Sequence, residues 1–402
     1  MSSHNFHRIG RLARVLLRTL LIVLALGGCG GGVDSGGTGA PRTASASGPI
    51  TGFGSVIVNG VHFDYGSASV TDADGTVRSS GDLKLGMTTS INGSGFVMDA
   101  SGARSTATSI VFASAILGPV DSLGTSSLAV LGQTVDVKPT TVYETGLNGG
   151  LAALSVGDVI EVYALFNAAT PNNRYIATRI ERKTQAASAY QLRGRVSLLD
   201  AGKKQFNIGS ETISYAGMPA SDALTALANG RFVRVQLQTA PQSGVWIATR
   251  LQAGVGPLEN RDNARIEGLI SDFTSPTQFS VEGVSVDASR ASVSGGVALD
   301  LGIRVAVEGA SSSGVLVASK VQSKSETDVE NEGFELDGSI SSINNDNKNF
   351  VLRGVTVDYS GSVEFPDGGK ISDLAVSKHV EVKGVVSADG TGLQAIRIKF
   401  IP

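Results

Sequence analysis

Cys29 is the only cysteine among 402 residues, and its thiolate is the strongest nucleophile the chain can offer. It follows Leu24-Ala25-Leu26-Gly27-Gly28 directly, so small residues fill the two positions before it. Other chemistry-bearing residues are sparse. Beyond residue 28 the histidines are His62 and His379, far apart in sequence and each inside an apolar alternation that reads as a strand. Nucleophilic hydrolysis needs a base beside a serine or cysteine, and no glycine-flanked serine elbow is present. One cysteine and two separated histidines do not make a set of zinc ligands. Asp72-Ala73-Asp74-Gly75 and Asn344-Asn345-Asp346-Asn347 are rich in oxygen ligands but lack the spacing of a calcium loop. Asx residues are equally expected in hairpin turns. The sequence therefore names no catalytic, cofactor-binding or metal-ligating residue, and its one chemical site is Gly28 with Cys29.

Arg8, Arg11, Arg14 and Arg18 precede the unbroken apolar run Leu20 to Leu26, and no acidic residue comes before Cys29. A positive stretch, a short apolar run and a small-residue end make a secretory signal over residues 1–28. The run is too short to cross a ~30 Å hydrocarbon core, which takes roughly 20 apolar residues. Leu26-Gly27-Gly28-Cys29 resembles the bacterial lipoprotein signal, departing from its commonest form in Gly27, where Ala or Ser is more usual. That resemblance implies diacylation of the Cys29 sulfur, cleavage between Gly28 and Cys29, and acylation of the new amine. It also implies a lipid bilayer as partner and a lipid-anchored place in the cell envelope. Gly30, rather than aspartate, follows the cysteine, which implies the outer membrane if the source has two.

Cleavage would remove four of 33 Lys+Arg and none of 36 Asp+Glu, leaving 29 cations against 36 anions, a net charge of −7. An acidic chain with 5% aromatic residues lacks the basic face and stacking platforms of a nucleic-acid binder, so nucleic acid is not an expected partner. The 51 glycines and abundant valine, serine and threonine point to an all-β fold with many turns. Residues 29–48 offer almost nothing to a core and read as a Gly/Ser-rich tether from the lipidated cysteine, reaching on the order of 25 Å.

The rest of the chain carries one pattern five times, about every seventy residues. Each copy opens with a glycine in a short apolar alternation, at Gly52, Gly118, Gly194, Gly268 and Gly338. A hairpin glycine follows, at Gly60, Gly132, Gly209, Gly283 and Gly354. Next come a leucine and a turn glycine, at Gly86, Gly157, Gly230 and Gly302, with Ser377 in the fifth copy. An alanine marks the closing strand, at Ala107, Ala177, Ala248, Ala318 and Ala395. Alternation within these segments is strand periodicity. Pro219 to Ala228 reads as a helical turn capped by Ser221 or Asp222. About five strands with a helical turn between the third and fourth describe a small barrel of the oligonucleotide/oligosaccharide-binding (OB) layout.

These motifs resemble exported bacterial proteins built from tandem copies of an uncharacterised domain with this small-barrel character. The expected modules are 49–113, 114–184, 188–254, 263–324 and 332–402. The acidic run Glu326, Asp328, Glu330, Glu332 reads as a solvated linker. Five modules in a row would extend on the order of 150 Å, unless short linkers let neighbours pack. Asp136, Asp287 and Asp358 are expected to pair with Arg179, Lys320 and Arg397 within their modules.

The functional expectation is an envelope lipoprotein, not an enzyme, acting as a binding or scaffolding array toward an unknown envelope protein or glycan. The alternatives are a carbohydrate-active or other hydrolase with a site between modules, and a structural spacer. Carboxylates converging in one deep inter-module cleft would favour the hydrolase.

Overall fold

The computed structural model describes residues 42–99, 102–169, 174–255 and 258–401. The expected signal segment, Gly28, Cys29 and the expected tether up to residue 41 lie outside the described residues.

The chain is an all-β tandem array of five small closed barrels. Module 2 shows the plan with five ring strands, Ile116–Leu123, Ser127–Val130, Gln133–Asp136, Val159–Asn167 and Arg174–Arg182, and a two-residue strand, Val142–Tyr143, that pairs parallel with the last of them. The first pairs antiparallel with the second, the second with the third, the fourth with the fifth, and the fourth with the first. The third pairs parallel with the fifth, which closes the ring in the order 1-2-3-5-4. A 3-10 turn, Gly150–Ala153, sits between the third and fourth strands, as the OB layout requires. The same ring recurs in module 1 (first strand Thr43–Phe53, last Gly102–Phe112), module 3 (Tyr190–Asp200, Trp246–Ala253), module 4 (Arg261–Ser275, Val315–Lys324) and module 5 (Phe334–Asn344, Leu393–Phe400).

The repeated small residues have one steric origin. In modules 1, 2, 4 and 5 the hairpin between second and third strands turns with both tip residues at positive φ, as in Leu131 (48°) and Gly132 (65°), and the tip folds back over the first strand. A side chain at Gly118 would run into Leu131, and one at Gly268 into Glu282. The closing-strand alanines sit opposite a bulge. In every module the fourth strand shifts register just before the residue that faces the alanine, as at Gly93 facing Ala107, Ala164 facing Ala177 and Gly309 facing Ala318.

Ser221 caps the helix Asp222–Thr225 by accepting from the Leu224 amide at 3.3 Å, as the sequence implies. Three other expectations need correction. Module 1 begins inside the segment taken for tether, because Ala44 and Ala46 bury one face of a strand that pairs with residues 88–94. The acidic run is a helix, Glu326–Glu332, started by a capping box in which Ser325 and Asp328 exchange bonds (3.2 and 2.8 Å). The aspartate ion pairs do not form. Parallel pairing sets Asp136, Asp287 and Asp358 beside Ile176, Val317 and Gln394, three positions short of the cations, or ~10 Å at a strand's rise. The cations turn instead to glutamates, Arg179 to Glu181 (2.6 Å), Lys320 to Glu308 (3.9 Å) and Arg397 to Glu381 (3.2 Å).

The barrels do not form an extended row. The first strand of module 1 pairs parallel with that of module 4 (Ala44–Ser47 with Asn263–Ile266) and with that of module 5 (Gly52 and Phe53 with Glu335 and Leu336). The first strands of modules 2 and 3 pair antiparallel through Ile116 and Leu192. Apolar cores run continuously from module 1 into module 5 and from module 2 into module 3, while module 4 keeps its own.

Ser377 occupies the turn where the other copies have glycine, and it adopts the same left-handed backbone (φ 71°). An L side chain there costs roughly 1 kcal/mol, so Ser377→Gly should stabilise the chain by a few tenths to about 1 kcal/mol. Gly309→Ala should destabilise it by about 2 kcal/mol, because its Cβ meets the Val317 carbonyl, a backbone atom that cannot turn aside. Gly217→Ala, with open space around it, should be near neutral in the same denaturant titrations.

Candidate functional site

Modules 1, 2 and 5 meet around a cleft of about 570 Å³. Module 1 supplies a 3-10 turn, Ser80–Asp82, fixed by a capping box in which Ser79 accepts from Gly81 (3.1 Å) and Asp82 accepts from Ser79 (2.9 Å). That turn places Lys84 on the rim, where its Nζ donates to the Gly81 carbonyl at 2.5 Å. Tyr65, half-buried, follows the third strand and stands on the wall.

Module 2 supplies Tyr143, Glu144, Arg179 and Glu181. The Tyr143 amide donates to the Gly390 carbonyl (2.8 Å) and the Gly149 amide to the Asp389 carbonyl (3.1 Å), tying module 2 to the loop between the last strands of module 5. Burial pushes the Tyr143 hydroxyl up to about 12. Arg179 donates its Nε to Glu181 (2.6 Å) and one terminal nitrogen to the Leu85 carbonyl of module 1 (3.2 Å). Module 5 supplies Arg353, at the tip of its hairpin with φ 50°, whose Nε donates to the Asp337 carbonyl.

The cleft thus holds three cations, Lys84, Arg179 and Arg353, two carboxylates, Glu144 and Glu181, and aromatic walls. Burial alone would raise Glu181, but Arg179 and Lys183 outweigh it and hold the carboxyl below its ordinary value. Glu144 takes the Arg182 amide on one oxygen at 2.9 Å. Donors and acceptors interleaved with apolar walls suit a polar ligand carrying several hydroxyls.

Of the residues singled out in sequence, Arg179 lines the cleft, whereas the histidines and the two oxygen-rich loops do not. Cys29 and Gly28 are outside the described residues. His62 places Nδ1 3.1 Å from Ser55 Oγ, and His379 places Nε2 2.9 Å from Asp337 Oδ1. Both belong to modules that share the seam through Gly52 and Glu335, and neither lines the cleft. The two oxygen-rich loops are Asx turns: Asp72 accepts from Asp74 and Thr76 (3.0 and 2.9 Å), and Asn344 accepts from Asn347 (3.0 Å). Among the described residues no group of three or more His, Cys, Asp or Glu is placed to hold a metal. The cleft residues come from three modules with no common linear motif. The available signals were Arg179, named only as an ion-pair partner, and Arg353 at a hairpin tip, a position that also holds Asn59, Leu131 and Glu282.

Residues 118–181, 267–322 and 337–399 each match the family described as "Domain of unknown function (DUF5666)". These segments fall in modules 2, 4 and 5, and modules 1 and 3 share their ring order. No curated protein matches the chain.

Because Glu181 is held ionised by its neighbours, its contribution is present above the ordinary carboxylate range and is lost as pH falls through its lowered folded value. Glu181→Gln should therefore lower stability at pH 7 by about 2 kcal/mol and flatten the acid side of the melting-temperature profile. A variant as acid-sensitive as the parent would contradict this account of the cleft.

Proposed function

We propose that this chain is an envelope lipoprotein, anchored to a bilayer through acylated Cys29, whose barrels form a binding array with the cleft between modules 1, 2 and 5 as the ligand site. The cleft carries the reading. Its volume of about 570 Å³ and its mix of arginine, lysine, carboxylate and tyrosine match the hydroxyl-rich surface of a glycan, and the polar face of an envelope protein is the other expected partner. The signal ending at Gly28 and Cys29 supports the anchor, with the outer membrane as its site if the source has two.

A hydrolase is the second reading, because two carboxylates, Glu144 and Glu181, do line one inter-module cleft. A glycosidase acid needs a raised pKa, whereas Glu181 is lowered, which favours binding. The spacer reading is the weaker one for modules that bury strands and cores against each other.

Cys29→Ala should accumulate as unlipidated precursor, and recovery of a cleaved, lipid-bearing product would refute the anchor. A photocrosslinking residue at position 145, on the exposed rim, should capture a glycan or envelope protein in cells. Tyr65→Ala should reduce that capture several-fold, whereas undiminished capture would move the ligand site elsewhere.

A further inference from the structure

Modules 2 and 4 border a second pocket, a half-open slot of about 240 Å³ and different character. Leu165 and Ile176 line it from module 2, Leu269, Val297 and Ile303 from module 4, and Val329 from the helix Glu326–Glu332. No residue of that helix is buried, and Val329 is its only apolar side chain. The helix is held over the slot by polar contacts, chiefly Lys138 with Glu326 and Lys324 with Glu332 at 2.8 Å. Such ion pairs, with Glu326 72% and Glu332 46% exposed, restrain a lid only weakly.

Cations stand at one end. Arg304 and Lys324 are committed to the buried Glu267, at 2.7 and 3.0 Å. Lys138 is not committed in this way, because its carboxylate partner is the exposed side chain of the lid itself. Three cations, Lys138, Arg304 and Lys324, and two carboxylates of the helix, Glu326 and Glu330, line the slot. Lys138 is the lining cation whose carboxylate partner lies on the helix alone, so a ligand head that displaces Glu326 and shifts the helix with Glu330 meets a positive end. A dry apolar cavity of ~150 Å³ accepts benzene, so this larger one has room for an acyl chain of roughly eight to ten carbons.

We propose that this slot binds a medium-chain carboxylate, its tail among Leu165, Ile176, Ile303 and Val329 and its head on Lys138 in place of Glu326. Binding lifts the Glu326–Glu332 helix just enough to admit the chain. Seating the chain there removes its apolar surface, and that of the slot wall, from water.

The test is calorimetric titration of the purified full-length protein with decanoate and, separately, with decanol. Decanoate should bind at one saturable site, and Lys138→Ala should weaken it about tenfold while leaving decanol unchanged. Val329→Trp places an indole in the slot from a helix with no buried residue, so the barrels stay intact, and it should abolish binding of both. Absence of saturable decanoate binding would overturn the proposal. So would equal binding of acid and alcohol with Lys138→Ala inert, or undiminished affinity in Val329→Trp.

Discussion

The junction of modules 2, 3 and 4 turns on one buried contact, between Arg193 of module 3 and Glu282 at the hairpin tip of module 4. Each side chain is 14% exposed, and their charged atoms are 3.3 Å apart. Glu282 also accepts from the Phe166 amide of module 2 at 3.1 Å and the Leu269 amide of its own module at 3.2 Å. Arg193 donates in return to the Glu282 carbonyl (2.9 Å) and to the Gly254 carbonyl (2.6 Å), and lies 5.1 Å from the centre of the Phe232 ring. Three modules thus share one ion pair. Burial raises the Glu282 carboxyl above its ordinary value even though Arg193 and both amides oppose the shift. The contact therefore fixes which modules meet and in what register more than it adds net stability. Glu267, 15 positions earlier, shows the contrast: burial opposes its charge, but Arg304 and Lys324 prevail and lower it.

One scaffold carries divergent tips. The second hairpin turns left-handed in the same way at Asn59, Leu131, Glu282 and Arg353, and each tip meets something different. Asn59 offers its carbonyl to Arg265 of module 4, Leu131 covers Gly118 in its own barrel, Glu282 joins three modules, and Arg353 lines the cleft. The ring demands only a turn geometry at this position, so side-chain chemistry there is free to serve contacts between barrels.

That division explains what was readable in the sequence. The barrel was legible because its constraints are local and repeat: Gly118 must admit Leu131, and Ala318 must sit opposite a bulge. Ser377 was visible as the odd residue in a glycine column, and it keeps the glycine conformation. Contacts between barrels were not legible, because Arg193 and Glu282 are 89 positions apart and each stands just before a repeat glycine, where the residue type changes from copy to copy. The acidic helix was hidden by its charge, although Ser325 and Asp328 spelled a capping box. The expected aspartate pairs failed on a three-residue offset that only the parallel register reveals. The cleft was least legible of all, since Tyr65, Arg179 and Arg353 converge only once three modules dock.

The most direct measurement is amide hydrogen exchange at Phe166 and Leu269, which belong to different modules and donate to the same carboxylate. In Glu282→Ala both amides should lose protection together, by roughly tenfold or more, while Ile110 in the module 1 core keeps its rate. Unchanged exchange at Phe166 and Leu269 would contradict the account, since the junction of modules 2, 3 and 4 would then stand without the contact on which it rests.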